Sequence, residues 1–270
     1  MNSTQTFHPR RDMRVAQSHF AARKEHLITQ RRRIALVTGA ARNIGRATAI
    51  ELGRRGHDVI VHTRADSETA AEVAHEIEQF GVQARVELAD LTDLADVQSL
   101  IDRIGEVDVL VNNAALRPKA PFTDVTFDQW RQVFAINLDA PFLLCKAYVP
   151  GMMARGWGRV IGVTGVRAMI GDAGRVSSSA AKHALVGLTR VLARESGPQG
   201  VTVNLVCPGT VRVSDAAADA GRLAERAGIG ALDRFGVPDD IAKVIGFLAS
   251  DDGGYITGQT VGANGGELFL

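Results

Sequence analysis

A glycine-containing turn directly after an apolar strand is the first feature of this sequence that indicates chemistry. The turn runs Thr38-Gly39-Ala40-Ala41-Arg42-Asn43-Ile44-Gly45 and leads into a stretch with helical spacing. Gly39 permits a tight turn, and Gly45 permits close approach of helix and strand. The unpaired N–H groups at a helix N-terminus attract phosphate. The turn therefore predicts a site for the pyrophosphate of a dinucleotide.

Short apolar runs alternate with amphipathic stretches from Arg33 onward. The predicted strands cover residues 34–39, 58–63, 84–90, 107–114, 158–165, 201–209 and 257–266. The stretches between them repeat apolar residues at helical spacing, and Gly56 and Gly81 stand where helices would end. Buried strands that alternate with helices form a parallel sheet covered on both faces. We therefore predict one α/β domain over 33–270, with a doubly wound, parallel, seven-stranded sheet of the Rossmann type.

Composition restricts the partners and the compartment. The chain has 270 residues, 46% of them hydrophobic, and 31 basic residues against 30 acidic ones, so no large net charge attracts nucleic acid or anionic lipid. Cys145 and Cys207 lie in apolar segments, which favours reduced core thiols and a cytoplasmic location. An apolar run of about 18 residues and a secretory signal are both absent from the sequence. We expect no membrane, nucleic-acid or metal partner.

Residues 1–32 differ from the rest of the chain. They are rich in arginine, poor in acidic residues and only weakly periodic. A targeting peptide and a nucleic-acid-binding arm share this composition, but we favour a flexible or subunit-docking extension.

Further motifs follow in order over residues 34–270 and resemble the short-chain dehydrogenase/reductase family, in particular its 3-oxoacyl-(acyl-carrier-protein) reductase branch. TGAARNIG (38–45) is similar to the family's TGxxxGIG turn, and NNAA (112–115) resembles NNAG. CPG (207–209), RFGVPDDIA (234–242) and ITGQTVGANGG (256–266) resemble its later signatures. Asn43 replaces the middle glycine, and asparagine tolerates positive φ better than most residues. The resemblance implies a nucleotide-dependent oxidoreductase.

The resemblance also implies which residues bind the cofactor. They are Gly39, Ala41, Arg42, Asn43, Ile44, Gly45, Thr63, Arg64, Asp90, Leu91, Asn113, Ala114, Lys182, Pro208, Gly209 and Val211. Family members that use NAD place an acid at the end of the second strand, where this chain has Thr63. Arg64 follows, and Arg42 lies in the glycine turn, so two guanidiniums can bind a 2′-phosphate. We predict NADP(H) in preference to NAD(H); the alternative is that both arginines are solvated surface charges.

The catalytic end departs from the family pattern. Most members reduce a carbonyl with a tyrosine as proton donor, a lysine four residues later, a serine about a dozen residues earlier and an asparagine on the preceding helix. Lys182 matches the lysine and Asn137 the asparagine, but Ser178 stands four residues before Lys182 and Gly165 thirteen residues before Ser178. The resemblance thus implies that the tyrosine and the serine are missing. A serine hydroxyl is a far weaker acid than a phenol, and water would fill the gap beside it.

No other residue is an obvious replacement. Tyr148 and Tyr255 lie in other elements, too far along the chain to reach Lys182. Ser177 and Ser179 are expected to point off the relevant helix face. Thr164 is expected to face the opposite side of the sheet, because strand side chains alternate.

Three functional hypotheses stay open. The favoured one is an oxidoreductase acting on a substrate that needs little help, such as an iminium or an activated C=C, with Lys182, Asn137 and water moving protons. A second is a non-redox enzyme that uses Lys182, Arg167, Asp172 or Arg175. The third is a catalytically inactive nucleotide-binding, sensing or assembly subunit. Loss of a positioned acid typically costs about 10²–10⁴ in rate, so ordinary ketone reduction should be slow in all three cases.

The substrate is a small molecule that the sequence does not identify. Residues 211–232 match the family's mobile lid and contain Arg212, Arg222 and Arg226, which can meet an acidic substrate or form a solvated helix face. The resemblance implies a homodimer or homotetramer.

Overall fold

A parallel sheet forms the centre of the molecule, in a computed structural model that describes residues 31–212 and 228–269. Seven strands pair in the order β3-β2-β1-β4-β5-β6-β7, and every pair is parallel. Their bounds are β1 Ile34–Val37, β2 Asp58–Thr63, β3 Ala84–Leu88, β4 Val109–Asn112, β5 Gly158–Val163, β6 Val201–Pro208 and β7 Thr260–Ala263. The predicted fold class is confirmed, and each strand lies within its predicted range.

Eight α-helices connect the strands in the described part of the chain. They are α1 Asn43–Arg54, α2 Ser67–Glu78, α3 Leu94–Ile104, α4 Phe127–Phe134, α5 Ala140–Ala154, α6 Val166–Ile170, α7 Val176–Ser196 and α8 Pro238–Leu248. A π-helical turn, Ala135–Asp139, joins α4 to α5. Gly56, just after α1, has φ of 88°, the left-handed conformation that ends many helices.

Helices cover both faces of the sheet because successive strand side chains point to opposite sides. On one face, Val37 and Val61 pack with Leu52 of α1, Ile77 of α2 and Ile245 of α8. On the other face, the core contains Leu36 and Leu110 together with the buried residues of α3 and α5, such as Leu100, Leu144 and Met152. The doubly wound architecture thus follows from the alternation of buried side chains.

The strand order reverses between β1 and β4, which pair with each other although two strands separate them in sequence. Connections leave this point in opposite directions, and the loops at the carboxyl ends of the strands part to form a crevice. The turn after β1 and the loops after β4 and β6, which carry much of the candidate site, lie at this edge of the sheet.

Most of two predicted segments lies outside the described residues. These are residues 1–30 of the predicted extension and residues 213–227 of the predicted lid, which include Arg222 and Arg226. Cys145 and Cys207 are buried, free thiols.

The segment Phe127–Ala154 is long and apolar enough to cross a membrane, by length and composition alone. It comprises α4, the π turn and α5, and this segment supplies residues to the core.

Candidate active site

A cleft of about 860 Å³ lies at the carboxyl ends of the strands. Every residue predicted to bind the cofactor lines it, from Gly39 in the first turn to Val211 after β6. Ser178 and Gly165 also line the cleft, whereas Asn137 does not. The cleft therefore joins a nucleotide-binding end with the end where chemistry was expected.

The shape of the turn after β1 depends on its two glycines. Gly39 has φ of 64°, and a Cβ on Gly45 would lie 2.1 Å from the Gly39 carbonyl oxygen. Asn43 has φ of 53°, so this position does adopt the left-handed conformation for which glycine or asparagine is suited. The turn brings backbone N–H groups to the N-terminus of α1, where a pyrophosphate fits.

The loop after β4 fixes the shape of this turn. The Asn113 amide donates to the Thr38 carbonyl at 2.9 Å and to the Gly39 carbonyl at 3.1 Å. The backbone N–H groups of Asn113 and Ala114 each donate to the Thr38 hydroxyl at 3.0 Å. Asn113 therefore acts on the cofactor site by holding the turn.

His62 is a further supporting residue, which the sequence reasoning missed. It is buried and lines the cleft, and burial lowers its pKa to about 4. The neutral ring accepts from the Gly39 N–H through Nδ1 at 3.3 Å, so Nε2 carries the proton and donates to the Ala89 carbonyl at 3.2 Å. The signal in the sequence was a histidine directly after the apolar residues 59–61 of β2.

The adenosine end carries both predicted arginines. Arg42 donates to the Asp66 carboxylate at 2.9 Å, and Asp66 in turn caps α2 by accepting from the Thr69 N–H. Arg64 is exposed after β2. Hydrogen bonds from Thr92 lower the pKa of Asp90, and the positive charge of Arg64 lowers it further, which places Arg64 on the side of the cleft that Asp90 lines.

The opposite end is closed by the loop after β6. A Cβ on Gly209 would lie 2.7 Å from both the Asn264 carbonyl oxygen and Glu267 Oε1, so this glycine is required by close packing. Glu267 accepts hydrogen bonds from the Thr210 N–H and hydroxyl and lines the cleft. Sequence reasoning had not singled out Glu267.

Lys182 is a buried cation at the base of the catalytic end. Its side chain is in the cleft lining, and Nζ donates to the Val163 carbonyl at 2.7 Å. Burial lowers the pKa of Lys182 to about 7, and the positive charge of Arg117 contributes to the shift. Lys182 can therefore gain or lose a proton near neutral pH.

Ser178 and Gly165 face the same space as Lys182. Ser178 lies one helical turn before Lys182 on α7, and its hydroxyl donates to the Arg175 carbonyl at 3.2 Å. Gly165 has extended backbone, with φ of 168°. A Cβ added there would meet only the Pro208 carbonyl oxygen, at 3.8 Å, so the backbone would accept a larger residue.

Thr164 and Ser179 are among the residues that line the cleft. Thr164 directly follows the end of β5, and Ser179 lies in the first turn of α7. Both hydroxyl oxygens are buried, and neither has a hydrogen-bond partner among the described residues. Buried polar groups are normally paired, so each hydroxyl carries the cost of a missing hydrogen bond.

Asn137 lies on the helical segment before β5, in the π turn between α4 and α5. It is fully buried, and its amide both donates to the Leu116 carbonyl and accepts from the Leu116 N–H, each at 2.9 Å. These bonds hold the loop after β4. The role of Asn137 in proton transfer stays a prediction.

Comparison with known proteins finds relatives that match most of the chain. A family model described as enoyl-(acyl carrier protein) reductase matches residues 39–267. The 3-oxoacyl-(acyl-carrier-protein) reductase of Pseudomonas aeruginosa is 38% identical over 87% of this chain and 96% of its own length. The acetoacetyl-CoA reductase of Rhizobium meliloti is 35% identical over 88% of this chain and 99% of its own.

A solved structure has the same fold. It is an inferred NAD(P)-dependent gluconate 5-dehydrogenase from Beutenbergia cavernae with NADP at low occupancy, and it matches with a TM-score of 0.81 and 38% identity, covering 87% of this chain and 96% of that one. The chain belongs to the short-chain dehydrogenase/reductase family. Within that family it is an NAD(P)-dependent oxidoreductase related to the 3-oxoacyl-(acyl-carrier-protein) and acetoacetyl-CoA reductases.

Proposed function

We propose that the protein is an NADP(H)-preferring oxidoreductase of small molecules in which Lys182, rather than a tyrosine, exchanges the proton with the substrate. The observation that carries this proposal is the buried Lys182 ammonium in the cleft wall, with Ser178 and Gly165 beside it. In the family pattern that the sequence resembles, tyrosine and serine are usual at the positions of Ser178 and Gly165.

The residues present fit a dinucleotide. Gly45 lets the turn approach α1 so closely that a Cβ would clash with the Gly39 carbonyl, and the turn leads into the N-terminus of α1, where a pyrophosphate would bind. Arg64 and Arg42 are available to a 2′-phosphate at the adenosine end, and Gly209 closes the other end. When bound, NADP(H) supplies or accepts a hydride.

Lys182 is suited to the accompanying proton transfer. A general acid works best when its pKa is near the operating pH, and burial lowers the pKa of Lys182 to about 7. Its bond to the Val163 carbonyl fixes the side chain. As the hydride adds to the carbon of a C=O or C=N group, the ammonium donates a proton to the oxygen or nitrogen, directly or through water beside Ser178, which gives a hydroxyl or an amine and leaves Lys182 neutral.

The orphaned hydroxyls of Thr164 and Ser179 supply orientation in this scheme. A rotation of either side chain toward the cleft would let its hydroxyl donate to a carbonyl oxygen or imine nitrogen, and such a contact would end the cost of leaving it unpaired. Thr164 lies next to Gly165, so it is the better replacement for an orienting serine. Asn137 acts one step away by holding the backbone at Leu116.

The test is NADPH oxidation against a panel of small ketones, aldehydes, cyclic imines and activated alkenes, with nucleotide binding measured in the same preparations. We expect NADPH to bind and at least one activated substrate to be reduced much faster than simple ketones. Tight NADPH binding without oxidation by any member of the panel would overturn the redox proposal and favour a sensing or assembly role.

A further inference from the structure

The wall of the catalytic end is rich in positive charge. Among the described residues that line it are Arg117, Lys119, Arg167, Arg175 and Lys182, against one carboxylate, that of Glu267. Charges of one sign on the walls of a cleft raise the local concentration of ions of the opposite sign. The wall thus favours a negatively charged substrate.

A shared carboxylate holds two of these arginines in place. Asp172 accepts from Arg167 Nη1 at 2.8 Å and from Arg175 Nε at 3.1 Å through the same oxygen, Oδ2. Both guanidiniums are partly buried, and the proximity of both arginines contributes to the lowered pKa of Asp172. One acid beside two guanidiniums leaves a net positive charge and fixes the direction of the arginine side chains.

The loop that carries Arg117 is tied to the same segment. Arg175 Nη1 donates to the Arg117 carbonyl at 2.6 Å, and the Ala120 N–H donates to the Gly174 carbonyl at 2.9 Å. Asn137 holds the adjacent Leu116. The guanidinium of Arg117 therefore extends from an anchored backbone, close enough to Lys182 to affect its charge state.

The cationic cluster lies directly beside the proposed reacting groups. Ser178 donates to the carbonyl of Arg175, and Lys182 lies one helical turn further along α7. When the reacting atom of a substrate lies at Lys182, the next few atoms of that substrate lie near the guanidinium groups. Planar guanidinium donors match the two oxygens of a carboxylate.

From this arrangement, and resting on the proposed function, we infer that the substrate is a small oxo or imino acid whose carboxylate binds Arg117 and Arg167 while its C=O or C=N group lies at Lys182. This inference names the substrate class of the site and assigns a specificity-determining role to two arginines. Asp172 and Asn137 are positioning residues for them.

The experiment is a titration of the NADPH-loaded protein with matched acids and neutral esters. The probes are pyruvate, acetoacetate and levulinate, each compared with its methyl ester, and binding is read by calorimetry and by NADPH fluorescence. A charge-assisted hydrogen bond contributes enough that we expect at least one acid to bind about tenfold more tightly than its ester. We expect Arg117→Gln and Arg167→Gln each to weaken acid binding about tenfold while ester and NADPH affinities stay unchanged.

Arg54→Gln is the matched control, because Arg54 also pairs with a carboxylate, Glu51 at 2.7 Å, but lies on α1 outside this cleft. It should leave acid binding unchanged. Equal affinities for every acid and its ester, or variants that weaken acid and ester alike, would overturn the inference. Acid binding without NADPH oxidation would refute the proposed redox function alone, and reduction confined to neutral carbonyls would refute the anion site alone.

Discussion

Arg64 and Arg42 lie at the same end of the cleft but in different surroundings. Arg42 is held by Asp66, which offsets part of its charge, whereas Arg64 is exposed beside the side of the cleft that contains Asp90. We therefore expect Arg64 to contribute more than Arg42 to selection of a 2′-phosphate. The absence of an acidic residue at the position of Thr63 and the presence of Arg64 both favour NADP(H) over NAD(H).

Arg64→Ala should weaken NADPH binding about tenfold or more and leave NADH binding nearly unchanged, because a charge-assisted contact to phosphate is lost. Calorimetric titration with both nucleotides measures the effect, and Arg54→Ala on the surface of α1 is the control. Equal wild-type affinities for NADPH and NADH would remove the basis for a 2′-phosphate site.

Lys182 gives the proposed reaction a characteristic pH dependence. The ammonium form is the acid, and since its pKa is lowered to about 7, the fraction protonated falls as pH rises through that value. The kcat for the fastest substrate of the panel should accordingly decline from pH 6 to pH 9. Lys182→Met should abolish this decline with pH and lower kcat by about 10²–10⁴-fold, the usual contribution of a positioned acid.

The matched control for this variant is Lys243→Met, at an exposed lysine of α8. It should keep both the rate and the pH profile. A decline of kcat near pH 7 that persists in Lys182→Met would show that a group other than Lys182 titrates there. Nucleotide affinity measured in parallel separates a loss of chemistry from a loss of binding.

At these individual positions, sequence reasoning succeeded where a backbone requirement dictates the residue type. Asn43 in a left-handed turn is such a case. The sequence did not indicate that Thr164 belongs to the cleft lining, or that the Asn137 amide binds the backbone of Leu116. Contacts across the fold, such as that between Arg117 and Lys182, leave no local pattern in the sequence.

The predicted cofactor site can be tested in the turn between β1 and α1. Gly45→Ala places a methyl group against the Gly39 carbonyl, 2.1 Å away, and against the Asn113 amide, 2.6 Å away. Because the first neighbour is backbone, the turn has to shift, and we expect at least about 1–3 kcal/mol of destabilisation together with a large loss of NADPH affinity. Chemical unfolding and calorimetry measure the two effects.

Asn43→Gly is the companion change in the same turn. Glycine accepts φ of 53° without strain, so the free energy of unfolding and the NADPH affinity should both stay close to wild type. If Gly45→Ala proved as harmless as Asn43→Gly, close backbone approach would not be what defines this turn.

The elements themselves were predictable because their patterns are strong. Buried β-branched runs and amphipathic stretches specify seven parallel strands with helices on both faces, and glycines such as Gly56 mark helix ends. Strand ends were overestimated by one to several residues, as in β7, since TGQTVGANGG forms turns on both sides of Thr260–Ala263. Hydrogen bonding, rather than composition, decides where pairing stops.

For the whole molecule, the sequence predicts that the α/β domain is independent of the extension. Every described strand and helix begins at or after Ile34. Removal of residues 1–30 should therefore leave the melting temperature, NADPH affinity and oligomeric state unchanged, as differential scanning fluorimetry, calorimetry and light scattering would show. A substantial fall in melting temperature or a change in mass would establish a structural role for the extension.

For the whole molecule, we propose a cofactor site combined with a catalytic site that lacks the serine and the tyrosine usual in the family. Gly165 has backbone and space for a serine, and Ser178 lies one turn from Lys182. In Gly165→Ser/Ser178→Tyr, the ammonium of Lys182 would lower the pKa of the new phenol, and the new hydroxyl would orient the carbonyl. The tyrosine should account for most of the gain, since it provides the proton.

The most direct measurement is the rate of NADPH oxidation by simple ketones and aldehydes in wild type, both single variants and this double variant, each shown to bind NADPH. We expect a very slow wild type and an increase of up to about 10²–10⁴-fold in the double variant. A wild type that reduces simple ketones at about 1–10³ per second, as ordinary enzymes turn over, would contradict it. So would a folded, NADPH-binding double variant with no gain.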